Sequence, residues 1–501
     1  MNMIWIIARK QLMDNILSLR FPIALLLCFV LMLFSTYILI EDYARQVSDL
    51  SDFLRPDAYR DAIAGHGNIA RLAEGPTPVA RRIPALKVLC SGLGDDASLT
   101  ATIRPFVGAI YKQRAFVTDT TLVLFPTINF VLIVNIVVSL LAMTFTYDAI
   151  SGEKQNGTLR LILANAVPRH QVLLGKWLGS YAGFLLSYVP SLIGVAIIIL
   201  IHPMMELTAS EWWSVVLIFA LSIVYTTVFF SLGLLVSSRT RDTKTSLLTL
   251  LAVWVFLALI IPNLSPYLAA EIHPTRTPYE IEAELNSIAF EETEKAWERV
   301  RESMGKTLDD GLREIMVNRN LNPAAGGSWN LDYGTWSDGI RMIMGSLDDE
   351  DTARELQLSS SRSARTELRN VASRSLIVKS DYMASLRRQM AISKTISSLS
   401  PLAAFTYLAT DLANTGIQGE RNFRRTVDIF KNEFVSYVGG KLASQEFLDR
   451  PDVSDMPSFQ YKPRAAAAVS RDDLIHLLLL ALFNAVFLMG AYLSFLRYDV
   501  R

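Results

Sequence analysis

The chain has 501 residues, and its 48 Lys and Arg balance 48 Asp and Glu, so its charge gives no reason to expect a nucleic-acid partner. Apolar residues make up 51% of it and gather into long runs, which excludes a soluble protein of three ordinary domains and implies a polytopic membrane protein. The two cysteines, Cys28 and Cys90, lie in an apolar run and in a polar stretch, so no disulfide framework is expected to hold the fold.

In chain order, residues 1–20 read as an interfacial helix. Leu12, Met13, Ile16, Leu17 and Leu19 fall on one face, with Gln11, Asp14, Asn15 and Ser18 opposite. A frayed extension of the following span is the alternative. Residues 21–40 form the first expected span, since about 20 residues at ~1.5 Å rise match a hydrocarbon core of ~30 Å. That run is too long for a secretion signal, and no small-residue cleavage pattern precedes Glu41, Asp42 and Tyr43. Residues 41–124 form a first external insertion that glycines and prolines break into short pieces, in which 101–111 suits either a strand or a helix.

Further spans are expected at 125–146, 177–201, 212–236, 247–268 and 474–496. Arg9, Lys10 and Arg20 precede the first, Arg239, Arg241 and Lys244 separate the fourth from the fifth, and Arg497 and Arg501 close the chain in the tail 497–501. The loop 202–211 has no Lys or Arg, so the positive-inside bias makes both termini cytoplasmic. Trp212 and Trp213 suit the aromatic belt at the outer boundary. Pro262, Asn263 and Pro266 mark either a re-entrant break in the fifth span or its simple end.

Residues 269–473 form a large external domain expected to be mainly helical. Residues 278–304 repeat Ile281, Leu285, Ile288 and Trp297 at helical intervals, with Phe290 off that stripe. Residues 318–339 read as an ordered loop, helical composition resumes over 349–397, and 449–463 reads as an irregular strap barred from helix by three prolines. The first insertion is expected to pack against this larger one.

No catalytic constellation is present. Gly305, Lys306 and Thr307 imitate the end of a phosphate-binding loop, but Val300 stands where the pattern needs glycine. Asp348, Asp349, Glu350 and Asp351 read as a solvated helix start, and the five histidines are scattered without metal-ligand spacing. The span centres carry no Asp, Glu, Lys or Arg, so ion coupling has no evident carrier. Asn129, Asn135, Ser187 and Tyr188 are the polar span residues that line a translocation route or join helices.

The most informative stretch is the segment 147–176. Its Lys154, Arg160, Arg169 and Lys176 place it on the cytoplasmic side. Gly152 and Gly157 allow bends, and Thr158 suits the start of a short helix through Leu159, Leu161, Ile162 and Leu163 that ends before Pro168. This pattern, Glu153 ahead of Gly157, Thr158 and Leu159, then Arg169, Gly175 and Lys176, resembles the permease subunits of ABC type-2 transporters. A weaker echo is the Leu399, Ser400, Pro401 turn of members with a large external insertion.

The resemblance implies an all-α membrane protein with six transmembrane helices, an interfacial N-terminal helix and a mainly helical extracytoplasmic domain. It implies a permease subunit of an ATP-driven exporter in the bacterial cytoplasmic (inner) membrane, paired with a second permease of the same or a sister chain. ATP and Mg would be bound by separate cytoplasmic ABC ATPase subunits and none by this chain, so it is not itself an enzyme. Membrane lipid and an extracytoplasmic protein are the other partners it implies. Glu153, Gly157, Thr158, Leu159, Arg160, Leu161, Ile162, Leu163, Arg169 and Lys176 would couple the ATPase to the spans, with Glu153 and Arg169 as polar contacts and Leu159 to Leu163 as an exposed apolar ridge. The residues themselves leave open a membrane-anchored receptor or scaffold presenting an external helical protein-binding domain.

Overall fold

The computed structural model describes residues 3–53, 77–92, 99–104, 108–112, 128–164, 168–304, 350–443, 455–462 and 471–497. Phosphate-loop look-alike 305–307, loop 318–339 and Asp348 and Asp349 lie outside the described residues.

Helix α1 (Met3–Ile16) is separate from α2 (Arg20–Phe53), which settles the choice left by the sequence: it is no extension of the first span. Ser18 makes the break, its hydroxyl donating to the Asn15 carbonyl at 2.7 Å. Met13, Leu17 and Leu19 are exposed as expected of an interfacial helix, but Asn15 on the polar face is buried against another helix rather than facing water. At 34 residues α2 runs well past the expected end at residue 40.

A small antiparallel sheet follows, in the order β1 (Thr77–Ala80), β2 (Thr100–Arg104), β3 (Gly108–Lys112). It is a local exception in an otherwise helical fold, and it decides for strands at 101–111. Val79, Ala101 and Ile103 fall on one buried face, as alternate residues of paired strands do.

Helix α3 (Phe130–Thr144) is shorter than the expected second span and contains a π turn at Val134–Val138. Asn129 starts it, its Oδ1 accepting from the Leu132 amide at 2.9 Å. The short helices α4 (Ser151–Gln155) and α5 (Thr158–Ala164) precede α6 (Arg169–Ile201) and α7 (Ala209–Arg239). Thr208 and Glu211 form a capping box at the start of α7.

Helix α8 (Thr243–Ile272) corrects the re-entrant reading of the fifth span, because it continues through Pro262 and Pro266. Two devices make this tolerable. A π turn at Phe256–Ile260 loosens the ladder just upstream, and the Pro262 carbonyl that Pro266 leaves without its amide accepts the Ser265 hydroxyl at 2.9 Å. By length and composition α2, α6, α7, α8 and α13 (Arg471–Leu496) are each able to cross a membrane.

The described part of 269–473 is helical apart from short connections and the irregular 455–462: α9 (Pro278–Met304), α10 (Glu350–Ser397), α11 (Pro401–Leu412) and α12 (Ile417–Ala443). Helices α9 and α10 pair with Ile281 and Ile288 buried and Phe290 exposed. Glu292, whose side chain is 5% exposed, takes Arg374 at 2.9 Å and Asn370 at 2.9 Å, while Glu291 takes Arg374 at 2.8 Å and Lys295 at 2.6 Å. The hydrogen bond from Arg374, then that from Lys295, holds the Glu291 carboxyl at about 2.

Because that pKa is lowered on folding, its contribution is complete above the ordinary carboxylate value of 4.5 and is lost as pH falls toward about 2. Spin labels on α9 and α10 should therefore report a broadening distance distribution between pH 4.5 and 2, and Arg374→Gln should flatten that dependence.

Helix α11 departs from a purely external domain. Ser400 caps it, Pro401 fills its first turn, and Ala404, Phe405, Leu408 and Ala409 sit in the same apolar core as α2, α6 and α7. Its composition explains this: PLAAFTYLATDL has one charge, so its burial inside the bundle costs little. Phe405 stacks on Tyr225 of α7 at 4.7 Å, and Tyr407 packs on His476 of α13 at 5.2 Å.

The two insertions do pack together. Val79, Ala101 and Ile103 share a cluster with Phe423, Val427, Phe430 and Phe434 of α12, covered by Phe459 and Tyr461. Arg81, 2% exposed, faces Glu420 at 3.5 Å with its guanidinium 5.3 Å from the Phe423 ring.

Candidate functional site

The segment 147–176 is held by polar contacts to the ends of five long helices and to α1. Ser237 Oγ, near the end of α7, accepts from the Ile150 and Ser151 amides at 3.0 Å each. Lys154 Nζ donates to the Ser238 carbonyl and, at 3.0 Å, to that of Thr240, so it supplies the donors that the last carbonyls of α7 lack. Burial, then Arg241, pushes the Lys154 ammonium down to about 8.

At the start of α8, Gln155 Oε1 accepts from the Thr243 amide at 3.2 Å and from its hydroxyl at 3.0 Å, and Ser246 donates to the Tyr147 carbonyl at 2.5 Å. Arg20, opening α2, donates to both carboxylate oxygens of Asp148, at 3.0 and 2.6 Å.

Lys176 is nearly buried near the start of α6, where it meets Glu153 Oε1 at 3.0 Å and Gln11 of α1 at 3.4 Å. Glu153 also accepts from the Thr158 hydroxyl. Burial works against its charge, but Lys176 and Thr158 outweigh that cost and keep the carboxyl below its ordinary range. Arg169 Nη1 donates to the carbonyls of Phe495 at 3.2 Å and Leu496 at 2.5 Å, closing the end of α13. Glu153 and Arg169 thus hold the segment to its own subunit, a role the sequence pattern did not suggest.

Gly157 has φ +73°, the left-handed conformation that glycine adopts most readily, and it turns the chain from α4 into α5. The turn decides which face of α5 points outward. Leu159 is fully buried among Ala149, Ile150, Val172, Leu173, Leu234 and Phe495. This corrects the expectation of an exposed ridge running from Leu159: helical periodicity sends 159 inward and leaves Arg160, Leu161 and Ala164 outside. Leu161 is 68% exposed, Ile162 is half-buried, and the Leu163 side chain lies outside what is described. Together with Gln155, Asn156, Gly157 and Thr158 these outward residues form one accessible surface.

Two of the four polar span residues join helices: Asn135 donates to Thr406 of α11 at 2.9 Å and Tyr188 to Ser222 of α7 at 2.9 Å. Besides capping α3, Asn129 donates to Ser91, and Ser187 donates to the Phe184 carbonyl of its own helix at 2.7 Å. Asn135 sits inside the π turn of α3, and its Oδ1 is buried without a donor.

Sequence reasoning missed Arg20, Gln11, Ser237 and Thr243 as partners of this segment. Only the capping preference of Ser and Thr near helix ends hinted at the latter two.

A family model described as an ABC-2 family transporter protein matches residues 5–500. No curated protein matches the chain.

Proposed function

We propose, from the premise that the chain belongs to the ABC-2 transporter family and is a membrane permease of that kind, that it couples ATP hydrolysis in a separate cytoplasmic ATPase to export or to work on the outer membrane face. Family membership implies association with an ABC ATPase. The observation that carries the coupling reading is the segment 147–176. It presents Gln155 to Thr158, Arg160 and Leu161 outward while its other side holds α1, α2, α6, α7, α8 and α13 by named polar contacts.

An element built this way has one face for a partner and one for the spans. Force applied to the outward face of α5 would reach α6 through Glu153 and Lys176 and α13 through Arg169. ATP and Mg belong to the partner on this reading, the segment faces the cytoplasm, and a second permease completes the subunit pair. The apolar helices define an integral membrane protein, which on this reading sits in the bacterial inner membrane, and the positive-inside bias favours both termini inside.

Purification of the intact complex should bring down an ABC ATPase. Glu153→Gln and Arg169→Gln should keep that ATPase bound and hydrolysing while its rate loses most of its dependence on the permease. A complex that contains no ATPase, or two variants that behave as the unaltered chain does, would defeat the assignment.

A further inference from the structure

We infer that Arg20 and Asp148 form a positioning joint through which the coupling segment moves α2, and that α2 carries this motion to the first insertion. The inference rests on the proposed entry of force at residues 147–176.

The joint gathers three elements on one guanidinium. Arg20 donates to Asp148 through both terminal nitrogens, at 3.0 and 2.6 Å, to the Tyr147 hydroxyl at 3.1 Å and to the Thr144 carbonyl at 3.0 Å. Its Cζ lies 4.9 Å from the centre of the Tyr147 ring. Thr144 is the last residue of α3, so the first residue of α2 closes the end of α3 while gripping the start of the segment. A two-pronged Arg to carboxylate contact fixes direction as well as distance, which a lysine would not do.

The other end of α2 is seated outside. Its 34 residues span ~51 Å at ~1.5 Å each, against a hydrocarbon core of ~30 Å, so about 20 Å of helix projects beyond the membrane. There Ile40, Tyr43 and Leu50 share a core with Leu86, Leu89 and Cys90 of the first insertion, and Gln46 accepts from Lys87 at 2.8 Å.

Between its two ends nothing in α2 yields. Its single proline, Pro22, lies in the first turn where no intrahelical donor is lost, and it has no glycine. By contrast α3 and α8 contain π turns and α6 contains Pro190. Of the elements tied to the segment, α2 is the one best able to act as a rod between the cytoplasmic mouth and residues 85–90 of the first insertion.

The test uses the intact permease with its ATPase in nanodiscs, spin-labelled at Arg45→Cys on the outer end of α2 and Glu206→Cys on the loop before α7. Both positions are exposed, while Cys28 and Cys90 are buried. The distance is compared before and after trapping with MgATP and vanadate. Asp148→Asn and Arg20→Gln should each lose at least half of the shift while the ATPase stays captured, and the exchanged pair Arg20→Asp with Asp148→Arg should recover it. Arg20→Lys keeps the charge and should retain part of the shift even where Arg20→Gln fails to assemble. An undiminished shift in both single variants, or a loss that the exchange does not repair, overturns the joint alone; failure to capture an ATPase overturns the underlying reading and the joint with it.

Discussion

Gly179→Leu should pry α1 off α6, lowering stability by about 1–3 kcal/mol, the usual cost of overpacking. Gly175, Gly179 and Gly183 recur every four residues on the face of α6 that receives α1, and the three are not equivalent. A Cβ at 179 would stand 2.4 Å from the Ala8 carbonyl oxygen and 2.8 Å from Gln11 Cβ. Backbone cannot swing aside, so the helices must separate. At 183 the nearest atom is Asn15 Cβ at 3.2 Å, which needs only a small adjustment.

Alanine also favours a helix by up to ~1 kcal/mol over glycine, so Gly183→Ala should be close to neutral. Separation of α1 takes Gln11 from Lys176 and leaves the nearly buried ammonium with Glu153 alone. The measurement is thermal unfolding in detergent together with the rate of tryptic cleavage after Lys10, which should rise for Gly179→Leu and not for Gly183→Ala. Equal behaviour of the two variants would mean that α1 is held by something other than this close approach.

The same helix marks the limit of what the chain discloses by itself. Its amphipathic pattern was legible, and so was the exposure of Met13, Leu17 and Leu19. What the pattern left out is that a polar face need not meet water. Asn15 and Gln11 are received by Gly183 and Gly179, far away in the sequence, and periodicity within α1 carries no information about them.

Long apolar runs announced the membrane helices because burial in lipid demands that composition. Helix α11 went unrecognised for the complementary reason: a mostly apolar helix of twelve residues is too short to signal a span, and only the fold shows Phe405 against Tyr225. In the segment 147–176, residue types and spacing marked out the polar residues but not their partners. Glu153 and Arg169 look like exposed charges in a short loop, and their partners Lys176, Phe495 and Leu496 are fixed by tertiary placement alone.

Leucines two residues apart on α5 should fail in opposite ways. Leu159 is fully buried in the cluster that joins the segment to α6, α7 and α13, so Leu159→Ala leaves a cavity and should cost about 2–5 kcal/mol of stability. Leu161 is 68% exposed, so Leu161→Ala should change stability by no more than about 0.5 kcal/mol. If the outward face of α5 is where the ATPase docks, Leu161 is its largest apolar contribution. Truncating a central apolar contact typically costs ~1 kcal/mol or more, so capture of the ATPase should weaken by roughly five- to tenfold. Unfolding temperature and ATPase affinity measured on both variants separate the two effects: Leu159→Ala should lower the first, and Leu161→Ala should weaken the second with the first unchanged. An ATPase that binds the Leu161→Ala chain as tightly as the unaltered one would place the docking surface away from α5, because among the described side chains of this helix Leu161 is the exposed large apolar one.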